Sequence, residues 1–166
     1  MKLPIEPMHI LLVEDDEDHA EFIKRILQRA DPQVTLIRVK DGAEAISFIL
    51  QKSPYQNRRL PALVILDLKL PKKSGHEVLE EIKSHGSYKS IPFVVLTTSD
   101  AEVDKERAYN HHVNSYLVKP MEAELFKKML RELHLYWMNM NRPVSSVRSL
   151  DESFEDLDEM SPRGPL

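Results

Sequence analysis

Five short runs rich in branched apolar residues, each trailed by a helical stripe, constrain this chain more than any other feature. Ile10-Leu11-Leu12-Val13, Ala62-Leu63-Val64-Ile65-Leu66 and Phe93-Val94-Val95-Leu96 are continuous rather than alternating. That is the pattern of strands buried on both faces of a parallel sheet. Together with Tyr116-Leu117-Val118 and the stretch at 34–39, they predict strands near 8–14, 34–39, 61–67, 91–97 and 114–118. Helices are expected near 17–30, 42–52, 75–86, 101–111 and 121–139. The first carries the stripe Phe22, Ile23, Ile26, Leu27 at i, i+3/i+4 spacing. Asp41 is an N-cap candidate with Glu44 at the capping-box position. Ser99 or Asp100 should open the fourth helix, and Gly86 should end the third as a C′ glycine. Pro92 sits where a strand can begin without its N–H.

Strands alternating with helices of this length imply right-handed crossovers and a parallel sheet. The expected architecture is α/β, a flavodoxin-like doubly wound sheet of five parallel strands in the order 2-1-3-4-5 with five helices. This order sets the first and third strands side by side, and such folds bind ligands at the carboxyl edge of the sheet.

Polar residues stand at that edge. Asp67 follows the third run and precedes Leu68-Lys69-Leu70-Pro71-Lys72-Lys73-Ser74-Gly75; Glu14-Asp15-Asp16 follows the first. An Asp after a strand often only caps a helix, and Asp16, Glu17 and Asp18 suit a first helical turn. Glu14, Asp15 and Asp67, however, converge if their strands are neighbours. Bare carboxylates a few ångströms apart repel by about 4 kcal/mol per pair at an effective dielectric near 20, so such a cluster implies a bound cation or a proton. An open, all-oxygen acidic site suits Mg²⁺. Thr97 ends the fourth run and can donate to a phosphoryl oxygen; Lys119, before Pro120, offers a compact positive charge to the same oxygens.

The set Glu14-Asp15, Asp67-x-x-Leu70-Pro71-x-x-x-Gly75, Thr97, Tyr116 and Lys119-Pro120, in this order and spacing, resembles the response-regulator receiver domain over roughly residues 8 to 138. The resemblance implies a two-component signalling protein. Asp67 is then the phosphoacceptor, Asp15 and Asp67 bind Mg²⁺ directly, Glu14 assists through water, and Lys69 contributes its backbone carbonyl. Thr97 and Lys119 hold the phosphoryl group, and Tyr116 is the aromatic that changes rotamer on activation. The Lys119-Pro120 peptide is typically cis in the family. The long connection Gln51 to Leu60, the segment Leu96-Thr97-Thr98-Ser99 and the pair Tyr136-Trp137 look like the small single-domain regulators that partner bacterial phytochromes. The implied partner is therefore a sensor histidine kinase, with a phytochrome as the narrower expectation. Two residues depart from the pattern: Glu14 replaces the commoner Asp, and Thr98 stands where many receivers have Ala or Gly.

Other classes compete poorly. An aspartyl-phosphate phosphatase of the haloacid dehalogenase type is the alternative, but it needs an acid–base carboxylate two residues after the nucleophile, where this chain has Lys69. A flavodoxin-like electron carrier needs a phosphate loop after the first strand, and Glu14-Asp15-Asp16 would repel an anionic cofactor. The expectation is thus a phosphoacceptor rather than an enzyme. Only four glycines are present and no glycine-rich phosphate loop. His111-His112 are adjacent, so on a helix they point about 100° apart and suit a metal poorly. Lys69, Lys72 and Lys73 read as a solvated loop. A net charge of −4 gives no reason to expect nucleic acid as a partner. The absence of cysteine fits a reducing cytoplasm, and no run is long enough for a signal peptide or membrane span.

The receiver domain is expected to occupy 1–140, with 141–166 an acidic tail whose composition favours disorder. Within that tail Leu150, Phe154, Leu157 and Ser161 could form one face of a short acidic helix. Finally, the last helix carries the stripe Leu125 or Phe126, Met129, Leu133, Tyr136 and Met140, enough to cover one sheet edge, and Leu130, Leu135, Trp137 and Met138 beyond it make the stretch Leu133 to Met140 apolar nearly all round. A helix of that kind is buried on more than one side, which predicts a homodimer through the fourth and fifth α/β elements.

Overall fold

The computed structural model describes residues 7–142. Within them, β1 (His9–Val13), α1 (Glu17–Ala30), β2 (Thr35–Val39), α2 (Gly42–Ile49), β3 (Leu63–Leu66), α3 (Gly75–Lys83), β4 (Phe93–Thr97), α4 (Glu102–Asn110), β5 (Ser115–Val118) and α5 (Ala123–His134) alternate, and α5 runs on into a π-helical segment, Leu135–Met140. The strands form one parallel sheet in the order β2-β1-β3-β4-β5, as the pattern predicts.

The continuous apolar runs have a direct cause. Alternate residues of a strand point to opposite faces, and here both faces are covered. Leu11, Val13, Val64, Leu66, Phe93 and Val95 pack under α2, α3 and Ala108 of α4. Ile10, Leu12, Leu63, Ile65, Val94 and Leu96 pack under α1 and α5. On that second face the Phe22 and Phe126 rings stack 5.1 Å apart and tie α1 to α5.

Several local expectations need correction. The helices stop sooner than the apolar pattern suggests: α2 ends at Ile49 and α3 at Lys83. The C-cap of α3 is Ser84 in a right-handed conformation, and no glycine among the described residues has positive φ, so Gly86 is not a C′ glycine. Helix α4 has Ala101 as its N-cap without a side-chain bond; the Ser99 hydroxyl oxygen accepts from the Ala101 N–H, ahead of the helix, and so does not cap its first turn. Asp41 does cap α2, but Glu44 accepts from the Lys40 N–H rather than from that of Asp41. The complete reciprocal box lies at Ser74 and Glu77. The Lys119-Pro120 bond is trans, the default for X-Pro; among the described residues the cis bond is Ser53-Pro54. On α5 the face turned to the sheet is Phe126, Leu130, Leu133 and Trp137, and Leu125, Tyr136 and Met140 point outward. The proposed helix of Leu150 to Ser161 lies outside the described residues.

Candidate phosphoacceptor site

Strands β1 and β3 are neighbours in register, Val13 opposite Leu66. The pairing continues one step beyond, since the Asp67 N–H donates to the Val13 carbonyl at 3.0 Å. Glu14 and Asp67 are therefore forced into adjacent positions at the carboxyl edge. One carboxylate oxygen from each of Glu14, Asp15 and Asp67 falls within 4.8 Å of the others. Glu14 is 1% exposed and Asp67 8%, whereas Asp15 faces solvent.

Lys119, at the end of β5, supplies the counter-charge. Its Nζ donates to Glu14 Oε2 at 2.5 Å and to Asp67 Oδ2 at 3.0 Å, and lies 3.2 Å from His19 Nδ1. An ammonium is donor-only, so His19 Nδ1 acts as the acceptor and its proton sits on Nε2. Burial pushes the Glu14 carboxyl above its ordinary range, and the Lys119 hydrogen bond and charge oppose that only in part. Glu14 has the longer arm of the two acidic residue types, and that arm ends on the ammonium.

The surrounding backbone holds this group tightly. The Lys69 N–H donates to Asp67 Oδ1 at 3.3 Å. Asp16 caps α1 through the His19 N–H, and its own N–H donates to Glu14 Oε1 at 3.1 Å. From β2, Arg38 donates through Nε to the Glu14 carbonyl at 2.9 Å and through Nη2 to the Asp15 carbonyl at 3.1 Å, and pairs with Glu17 at 2.7 Å. The acidic turn after β1 is thus clamped by a guanidinium from the neighbouring strand.

On the other side, Thr97 is fully buried and its carbonyl accepts from the Lys119 N–H at 2.7 Å. The Thr97 hydroxyl accepts from the Ser99 N–H at 3.4 Å, and the Tyr116 hydroxyl donates to the Ser99 carbonyl at 2.9 Å. Thr98 is exposed. Glu14, Asp67 and Lys119 therefore meet directly with Asp15 beside them, Thr97 reaches them through its carbonyl bond to the Lys119 N–H, and Ser99 ties Tyr116 to Thr97.

The donor set fits a hard divalent cation: three carboxylates converge, two held by buried backbone and the third open to solvent. Asp67 itself is a carboxylate flanked by an ammonium and an acidic pair that could hold a cation, a combination suited to taking up a phosphoryl group. Sequence reasoning missed Arg38, His19 and Ser99. Arg38 had a readable signal, a lone cation inside the strand Thr35-Leu36-Ile37-Arg38-Val39.

Comparison with known proteins agrees with this geometry. The family model described as "Response regulator receiver domain" matches residues 10–131. Response regulator Rcp1 of Synechocystis is 41% identical over 132 residues, covering 80% of this chain and 90% of that protein. The probable methanogenesis regulatory protein FilR2 of Methanothrix harundinacea is 44% identical over 137 residues, covering 82% of this chain and 88% of that protein. Among solved structures, the phosphorylated cyanobacterial phytochrome response regulator RcpA superposes with a TM-score of 0.79 at 36% identity, covering 81% of this chain and 96% of that one. The Mn²⁺-bound form of Rcp1 does so with a TM-score of 0.79 at 40% identity, covering 82% and 98%.

Proposed function

The chain belongs to the response regulator receiver domain family, and we propose that Asp67 is its phosphoacceptor, loaded by a sensor histidine kinase. The observation that carries this is Asp67 Oδ2 held 3.0 Å from Lys119 Nζ beside the Glu14–Asp15 pair. In the reaction, a carboxylate oxygen of Asp67 attacks phosphorus, the donor's P–N bond breaks, and the imidazole leaves with its electron pair. A Mg²⁺ held by Asp15 and Asp67, with Glu14 through water and the Lys69 carbonyl, would neutralise the charge gathered there. Lys119 exchanges Asp67 and Glu14 for the new phosphoryl oxygens, and the Thr97 hydroxyl turns from the Ser99 amide toward the same group. That movement frees the Ser99 segment to which Tyr116 is bonded, which couples chemistry to shape.

The kinase we infer is a phytochrome, because RcpA is described as a phytochrome response regulator and the Gln51–Leu60 connection suits that group. The receiver is read as residues 1–140, followed by the acidic segment 141–166, and the protein as cytoplasmic. It acts as a signalling phosphoacceptor, not as a turnover enzyme; Lys69 occupies the position where a haloacid dehalogenase-type phosphatase needs its acid. A homodimer through the fourth and fifth α/β elements is part of the reading, supported by half-exposed Leu125 and Tyr136 on the last helix, whose other face is already buried.

Exposure to a small phosphodonor with Mg²⁺ should modify Asp67 alone. Asp67→Asn should abolish uptake, and Asp15→Asn should weaken Mg²⁺ binding. Full, persistent labelling of Asp67→Asn would overturn the assignment.

A further inference from the structure

Helix α4 is held to the molecule by very little apolar surface. Of its nine residues only Ala108 is buried, and Val103 and Tyr109 are left 69% and 53% exposed. The usual source of helix stability in a protein, packing of an apolar face, is largely missing here. Its position must therefore rest on polar ties, and one chain of them is continuous.

His76, in the first turn of α3, is 5% exposed and places Nε2 3.0 Å from Asp104 Oδ1 on α4. A carboxylate only accepts, so Nε2 carries the proton and donates; Nδ1 is buried with no partner. The other oxygen, Asp104 Oδ2, accepts from the Ser99 hydroxyl at 2.5 Å. Ser99 in turn donates its N–H to the Thr97 hydroxyl, and its carbonyl accepts from the Tyr116 hydroxyl. These bonds hold Asp104 as a carboxylate, the Ser99 bond most and the His76 bond next.

The anchoring end of this chain is rigid. Gly75, the residue before His76, packs against the Asp67 backbone so closely that a Cβ there would lie 2.4 Å from the Asp67 carbonyl oxygen. His76 is thus a fixed post, whereas Ser99 sits in the turn that must move when Thr97 reorients. We propose that His76 is a positioning residue that, through Asp104 and Ser99, latches α4 and the β4–α4 turn in the resting arrangement and so sets how readily the switch is thrown. The proposal rests on the phosphoacceptor reading above, and it concerns the regulation of that site. In the latched state the Thr97 and Tyr116 hydroxyls both face Ser99. Breaking the His76–Asp104 bond removes a tie present in one state and lost in the other, and a ligand shifts an equilibrium only by such differential contacts.

The test uses the full chain with Mg²⁺ and beryllofluoride as the probe, in wild type, His76→Phe, Asp104→Ala and the double variant. Phe fills the buried site without a donor, and Asp104 is a third exposed, so Asp104→Ala serves should His76→Phe fail to fold. Each single variant should reach half-saturation at a beryllofluoride concentration lower by about threefold or more, with the double variant no lower than the better single, as members of one network do not add. Tyr116 ring resonances of the ligand-free variants should move toward their position in beryllofluoride-bound wild type. A half-saturation unchanged or raised, or strictly additive effects, would overturn the latch. If wild type takes up no beryllofluoride, the phosphoacceptor reading fails instead. The ligand-free Tyr116 resonances then decide the latch alone, and unmoved resonances reject it.

Discussion

Gly75 and Asp67 touch backbone to side-chain position: a Cβ on Gly75 would sit 2.4 Å from the Asp67 carbonyl oxygen and 2.7 Å from Leu68 Cα. Both neighbours are backbone, and neither can swing aside. The segment Asp67 to Gly75 therefore keeps a glycine for space, not for an unusual dihedral, since Gly75 does not have positive φ. Gly75→Ala should destabilise by about 1–3 kcal/mol, the range for overpacking, read as a lower thermal midpoint. Gly86→Ala is the control: nothing lies within 4 Å of a Cβ there, and its midpoint should hold or rise slightly.

The long connection between α2 and β3 is pinned by Tyr55. Its ring lies 5.2 Å from Phe48, and its hydroxyl donates to Glu44 Oε1 at 2.5 Å. That carboxylate, with some burial, pushes the phenol up to about 12. The folded value lies above the ordinary value of 10.0, so the stabilisation is complete below pH 10 and is lost as pH rises from there through the folded value. Absorbance of phenolate, wild type minus Tyr55→Phe, should place this tyrosine near 12, and Glu44→Gln should bring it down toward 10. A Tyr55 that titrates near 10 in wild type would show that the connection is not held this way.

Much of this was written in the sequence. Ile10–Val13, Leu63–Leu66 and Phe93–Leu96 are apolar without a break because α1 with α5 and α2 with α3 cover both sides of the sheet. Their polar ends, and that of Ser115–Val118, then had one place to go, which brought Glu14, Asp67, Thr97 and Lys119 to one edge. Arg38 left a signal as a lone cation in β2 but not its partners, and the bonds made by His19 and His76 were not legible, because each depends on how far a side chain reaches across to another element. The outward face of α5 was misread for a different reason. Where nearly every residue from Leu133 to Met140 is apolar, periodicity cannot choose a face, and the structure selects Phe126, Leu130, Leu133 and Trp137. The Ser74-x-x-Glu77 capping box, by contrast, was a readable signature.

Arg38 should matter for metal binding although it carries the wrong charge to be a ligand. Its fork fixes the Glu14 and Asp15 carbonyls from the next strand. Hydrogen bonds from charged donors contribute about 1.5–3 kcal/mol each, and the guanidinium here is mostly shielded, with 16% side-chain exposure. Arg38→Met should therefore weaken Mg²⁺ binding roughly tenfold, and Arg38→Lys should recover only part, because an ammonium cannot span both carbonyls. Calorimetric titration with Mg²⁺ measures both. Equal affinities in all three proteins would mean that the acidic turn holds its shape unaided.

Dimerisation through α5 makes the most exposed claim about assembly. Leu125, Tyr136 and Met140 are 52%, 51% and 63% exposed beside a groove lined by Leu117, Pro120, Met129 and Trp137. Aromatic residues and Met are enriched at interface cores, and a twofold pair is the commonest closure of such a surface. Trp137 is the wrong residue to probe, since it is 9% exposed and packs with Leu130 and Leu133 in the core; Trp137→Glu would disturb the fold itself. Tyr136→Glu changes only the outward face. Light scattering at micromolar concentration should give twice the 19.3 kDa chain mass for wild type and the single mass for Tyr136→Glu, with an unchanged thermal midpoint for the monomeric fold. A wild type that stays at the single mass both with and without beryllofluoride would eliminate the dimer, and leave this face to a different partner.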